Sequence, residues 1–178
     1  MQRHSYHRQL FSFLFTSLMG TFLHFLFDLS GENILLAAVS AVNESAWEHM
    51  KLLFVPMFVS ALGQKLLWSP PHKAFWCSQL TGILTGLFLI PGLYYTYTGA
   101  LGVHFTWVDI SIFYVAAAAG HLVTALLLQC VRQRACPWER AALTALIALA
   151  AAFVVLTYFP AHLPIFLDPV TQSYGISA

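Results

Sequence analysis

Apolar and polar positions fall in blocks along this chain rather than alternating residue by residue. Five stretches, 10–27, 45–64, 74–90, 106–129 and 141–159, consist almost wholly of Phe, Leu, Ile, Val, Ala and Gly. A helix crosses a hydrocarbon core of ~30 Å in about 20 residues, so each stretch predicts a transmembrane helix. A sixth apolar run, 34–42, is about half that length and predicts a short interfacial or re-entrant segment before the second span. The expected fold is therefore all-α: a polytopic transmembrane helical bundle of about five spans in a single domain, 1–178, with a Pro-rich cap at 160–178.

Polar residues inside the spans refine the pattern. In the first, Ser17, Thr21, His24 and Asp28 follow an i, i+4, i+7, i+11 spacing, which at 3.6 residues per turn forms one stripe facing other helices. In the second, Ser45 and Glu48 have the spacing of a capping box, Glu44, Glu48 and Lys51 share a face, and Pro56 removes one intrahelical bond and frees a carbonyl. The third carries Gly82 and Gly86 in a small-xxx-small arrangement, a close-packing face and a candidate oligomer contact. Pro91-Gly92 stops or bends this span, before the interfacial tyrosines Tyr94, Tyr95 and Tyr97. The fourth opens on Thr106 and Asp109, spaced as a capping pair, with His121 deeper; the fifth lacks polar groups and reads as scaffold.

Composition agrees with lipid as the main solvent: 59% of residues are hydrophobic, 8% are charged, and mean hydropathy is +0.73. A net charge of +1 without a Lys/Arg-rich run or a phosphate loop excludes nucleic acid as a partner. Cys77, Cys130 and Cys136 are an odd set without CxxC spacing, suggesting neither a disulfide framework nor a zinc knuckle. Cytoplasmic loops retain Lys and Arg. An N-terminus in, C-terminus out orientation puts Arg3, Arg8, Lys65, Lys73, Arg132, Arg134 and Arg140 inside, with the cysteines near that face and so reduced, and leaves Lys51 the exception. The same orientation puts Asp28, Glu32, Glu44, Glu48, Asp109 and Asp168 outside, and Trp47, Trp68, Trp76, Trp107 and Trp138 at span ends, as an aromatic belt.

The candidate chemistry lies near the outer ends of three spans. Ionisable groups are expensive beside lipid and usually face a bundle interior or a watery cavity. His24, Asp28, Asn43, Glu44, Glu48, His49, Lys51, Asp109 and the deeper His121 are the binding-pocket candidates, converging on an outward-facing polar pocket for a small cation or polar headgroup. Paired Glu48 with Lys51, and His24 with Asp28, suit transport or a proton relay that His121 extends. The alternative is a metal-dependent membrane hydrolase acting on a lipid or an externally supplied substrate, with zinc or manganese held among His24, Asp28, Glu44, Glu48, His49 and Asp109. Against a metal, no HExxH or same-helix histidine pair is present. The bland reading assigns Glu48 and Asp109 to capping, Lys51 to neutralising Glu48, and His121 to a packed, hydrogen-bonded core.

The run Val42-Asn43-Glu44-Ser45-Ala46-Trp47-Glu48-His49-Met50-Lys51, with His24 to Asp28 and the tail segment Leu163-Pro164-Ile165-Phe166-Leu167-Asp168-Pro169, resembles a family of small polytopic bacterial membrane proteins of unknown function. The resemblance covers nearly the whole chain, and Asn-Glu-Ser-x-Trp-Glu-His is its specific part. It implies a multi-pass protein of the bacterial cytoplasmic membrane and carries no activity with it.

Overall fold

A computed structural model describes residues 2–68, 73–130 and 135–176, with side chains from residue 7 to 67 in the first segment. Arg132, Arg134, His72 and the Ser69-Pro70-Pro71 loop lie outside the described residues, as do the side chains of Arg3, His4 and Trp68. The helices are α1 (Gln2–Leu29), α2 (Ala46–Trp68), α3 (Phe75–Leu101), α4 (Thr106–Cys130) and α5 (Glu139–Tyr158), with 3-10 turns at Leu36–Ala38 and Pro164–Phe166. All five helices are long and apolar enough to cross a membrane. The all-helical bundle follows from the solvent: lipid offers backbone groups no partners, so each span must satisfy them internally. Leu18, Phe22, Phe88, Val115, Leu122 and Val155 accordingly point outward from the bundle, while Leu53, Phe54, Met57, Ile83, Leu87 and Phe153 form its core.

Two glycine crossings set the helix spacing. A Cβ on Gly82 would lie 1.9 Å from Thr124 Oγ1 and 2.5 Å from the Gly120 carbonyl, so α3 and α4 meet backbone to backbone. Gly86 repeats the contact one turn on, 3.0 Å from the Ala116 carbonyl. The Gly82/Gly86 face, a candidate oligomer contact in the sequence, is thus covered by α4 of the same chain. At the second crossing, Pro56 leaves the Leu52 carbonyl without its helical donor, and α1 fits against it: a Cβ on Gly20 would stand 3.0 Å from that oxygen and 2.5 Å from Phe113 Cζ. Pro91 does not stop the third span, which runs on to Leu101 with the tyrosines inside the helix; a membrane helix tolerates Pro when its neighbours take up the freed group.

Cys77 and Cys136 are not free thiols but a disulfide joining the start of α3 to the α4–α5 connection across 59 residues. The junction is reinforced by Glu139, whose carboxylate accepts the Trp76 and Cys77 amides at 2.8 and 3.1 Å and so caps α3. Trp47 and Trp76 also depart from expectation: both pack inside the bundle, whereas Trp107 and Trp138 are exposed, as belt residues are.

Candidate functional site

The segment leading into α2 assigns its ionisable side chains to different neighbours. Ser45 caps the helix, its hydroxyl accepting the Glu48 amide at 3.4 Å. Asn43 works on both sides: its side-chain oxygen accepts the Ser45 amide at 3.0 Å, and its side-chain nitrogen donates to the Gly175 carbonyl at 2.9 Å, tying the chain's tail to this corner. Trp47 lies between Phe153 of α5 and Phe166 of the tail, with ring centroids 4.5 and 4.8 Å away. Within the tail, the Asp168 carboxylate accepts the Val170 amide and the Thr171 hydroxyl, each at 2.8 Å, and so fixes the turn that presents Pro169 and Val170.

Glu48 does not reach back to complete the capping box. Its carboxylate meets Lys51 Nζ at 2.5 Å, accepts the Thr157 hydroxyl at 2.9 Å and accepts the Val42 amide at 3.3 Å. Lys51, fully buried, donates also to the Ala37 carbonyl and to Thr157 Oγ1, both at 2.8 Å. All three ammonium protons therefore have acceptors, and the pair is a closed staple joining α2, α5 and the segment between α1 and α2. Lys51 is held inside the protein rather than at its surface.

His49 is one residue further along α2 and about 100° around it, so it faces α1 instead of α5. Here a cavity of about 360 Å³ opens at the end of the bundle where α1 and α3 finish and α2 and α4 begin. Its lining is mostly apolar, with Gly20, Leu52, Ile90 and Phe113 at depth and Pro169 and Val170 of the tail against it. On one wall, Glu44 stands between two imidazoles: its carboxylate oxygens are 3.6 Å from His24 Nε2 and 3.6 Å from His49 Nε2. The two rings are 5.7 Å apart between centroids. His49 Nδ1 is 3.0 Å from the Ser45 carbonyl, an acceptor only, so Nδ1 carries a proton and Nε2 is the nitrogen turned toward Glu44.

The opposite wall comes from α3 and α4. Asp109 accepts the Tyr97 hydroxyl and lies 3.6 Å from His104 Nδ1, and Tyr97 in turn accepts the Phe105 amide at 3.2 Å. Asp109, His104, Thr106 and Tyr94 line the cavity. Thr21 and Tyr114, also in the lining, are hydrogen-bonded at 3.0 Å where α1 meets α4.

The groups expected to share one pocket thus separate into three clusters. His24, Glu44, His49 and Asp109 meet at the cavity, and Asn43 braces its rim from the adjoining turn. Glu48 and Lys51 are sealed against α5, so Glu44 does not share their face; it precedes the helix and turns the other way. Asp28 is exposed at the end of α1 and does not line the cavity, while its expected partner His24 faces Glu44. His121 belongs to a third cluster, its ring nitrogens 3.0 Å from Thr16 Oγ1 and 3.2 Å from Gln9 Oε1. That network continues through Gln64, Ser12 and Ser60, making His121 a satisfied core histidine tying α4 to α1 and α2. Asp109 faces Tyr97 and His104 in place of the expected cap with Thr106. His104 did not stand out in the sequence, and Tyr97 read there as an interfacial tyrosine rather than a partner of Asp109; the short α3–α4 connection that brings both to Asp109 was the available signal.

Five helices long and apolar enough to cross a membrane, with a cavity at one end whose mostly apolar walls carry a few polar groups, mark a multi-pass membrane protein. Residues 5–176 match the model of a family of unknown function, DUF6512, and the chain belongs to that family. No curated protein and no solved structure matches the chain.

Proposed function

We propose that the cavity binds a small cation or the cationic part of a polar headgroup, and that this binding is the protein's function, in the manner of a transport site. The charge of the walls carries the reading. Among the described residues Glu44 and Asp109 are the only Asp, Glu, Lys or Arg in the lining, which also holds His24, His49 and His104; with those imidazoles neutral its formal charge is negative. Apolar walls around two carboxylates focus that field and favour a positively charged occupant over an anionic one. The volume, about 360 Å³, falls within the range of sites for small ligands. A relay running through Glu48, Lys51 and His121 has less support, because among the described residues no hydrogen bond joins those clusters to the cavity.

The reading is tested on the full-length protein in detergent micelles, by thermal unfolding with divalent chlorides, with an alkylammonium amphiphile, and with phosphate as the anionic control. A cation at 100 times its Kd should stabilise the protein by about 2.7 kcal/mol, and the combined Glu44→Gln and Asp109→Asn variant should lose that gain. Stabilisation by phosphate but not by any cation, or a cation effect unchanged in the double variant, would overturn it. A metal-dependent hydrolase is the second reading, favoured by the imidazole nitrogens beside Glu44, and it alone requires metal-dependent release of product from a lipid or soluble ester.

A further inference from the structure

We infer that His24, Glu44 and His49 form a binding site for one borderline divalent metal ion, of the zinc, iron(II) or cobalt kind, leaving a coordination position open to the cavity. The inference rests on the cation-binding reading and specifies its occupant. Three features distinguish the cluster from an ordinary ion pair. Its ligand atoms all lie within 4.8 Å of one another, with one Glu44 oxygen 3.6 Å from His24 Nε2 and the other 3.6 Å from His49 Nε2. That separation is too long for a hydrogen bond. Each 3.6 Å separation is close to the ~3.3 Å between neighbouring ligand atoms around a tetrahedral ion with ~2.0 Å bonds, and the set closes on an ion when the half-exposed Glu44 side chain turns one oxygen toward both nitrogens.

The second feature is what lies behind the ligands. The Ser45 carbonyl, 3.0 Å from His49 Nδ1, fixes the tautomer and ring direction, as outer partners of metal-bound histidines do. Ser45 is itself fixed as the cap of α2, and Glu44 is held between Ser45 and the Asn43 side chain that anchors the tail. His24 makes no hydrogen bond through its ring nitrogens among the described residues, leaving Nε2 available. The third feature is the donor set. Two imidazoles and one carboxylate suit borderline ions and not magnesium or calcium, which prefer all-oxygen shells. Three protein ligands are also the number that leaves a place for water or a cavity ligand.

This ligand set is narrower than the one the sequence suggested. His24, Glu44 and His49 remain, the Glu48 carboxylate is already taken by Lys51, and Asp28 and Asp109 lie outside the cluster. The two histidines come from different helices, which is why no same-helix motif marked them.

The test is cobalt(II) titration of the full-length protein in micelles after chelator treatment, followed by visible absorption and by metal analysis after equilibrium dialysis. One equivalent of cobalt is expected, giving a d–d spectrum that one equivalent of zinc abolishes. Glu44→Gln and His49→Ala should each weaken binding by more than about 100-fold, beyond the 10–100-fold typical for loss of an outer partner. Asp28→Asn, exposed and outside the cavity lining, should keep the stoichiometry and spectrum. Affinity should fall on acidification, because both imidazoles must be free of protons to bind. Absence of cobalt and zinc binding, or binding unchanged in both Glu44→Gln and His49→Ala, would overturn the site. If His49→Ala does not fold, Glu44→Gln alone decides, since Glu44 is about half exposed (47%) on a loop and its replacement leaves no cavity. Stabilisation by the alkylammonium amphiphile without binding of cobalt or zinc would refute the metal site and leave the broader cation reading standing.

Discussion

Replacing Lys51 by Met isolates the cost of a buried charge in this bundle. The side chain is fully buried and donates to Glu48, Thr157 and the Ala37 carbonyl. Met matches its length and leaves no large void, so the loss is electrostatic. What remains is a carboxylate on Glu48 with only the Thr157 hydroxyl at 2.9 Å and the Val42 amide at 3.3 Å to hold its charge. Removing one partner of a buried pair costs about 3–5 kcal/mol, against a total stability typically of about 5–15 kcal/mol. Pairing Lys51→Met with Glu48→Gln removes the orphaned charge and keeps an acceptor for Thr157, so the double variant should be more stable than Lys51→Met alone. The coupling between the two changes should be roughly 1–3 kcal/mol in magnitude. Reversible unfolding in mixed micelles, followed by tryptophan fluorescence across the four variants, measures it. A loss below about 1 kcal/mol for Lys51→Met, or a coupling near zero, would refute the closed staple.

Three further outcomes are expected. Gly82→Ala brings a Cβ within 1.9 Å of Thr124 Oγ1 and should destabilise by about 1–3 kcal/mol in the same assay, with Thr124→Ala relieving part of the loss. Cys77→Ser under oxidising conditions should cost about 4 kcal/mol, the chain-entropy value for a loop of 59 residues, and should make stability insensitive to reductant, as read by thermal unfolding with and without dithiothreitol. Trp47→Ala should cost about 3–5 kcal/mol and speed proteolysis of the tail, because Phe166 loses the ring that seats it.

The spans were legible because lipid imposes one solution on the backbone, and a long apolar run leaves it no other. Orientation of side chains around the spans was less so. Glu44 and Glu48 are one helical turn apart on paper, yet Ser45 starts the helix between them and sends them to different neighbours. The tryptophans misled for a related reason: a position near a span's end does not say whether the ring meets lipid or, as Trp47 does, a returning tail. The partners of Asn43, Cys77 and Lys51 lie 132, 59 and 106 residues away, and no local spacing encodes such pairings. Ionisable residues inside spans stand out in the sequence, but no spacing there says that Glu48, Lys51 and His121 fasten helices together.

The backbone contact between Gly82 and Gly120 also limits how the molecule can breathe. With no side chain on either glycine to act as a cushion, α3 and α4 cannot slide or rock without steric collision, so they behave as one plate. Widening of the cavity mouth therefore falls to the tail that carries Pro169 and Val170, hooked through Gly175 to Asn43 and seated by Phe166 on Trp47.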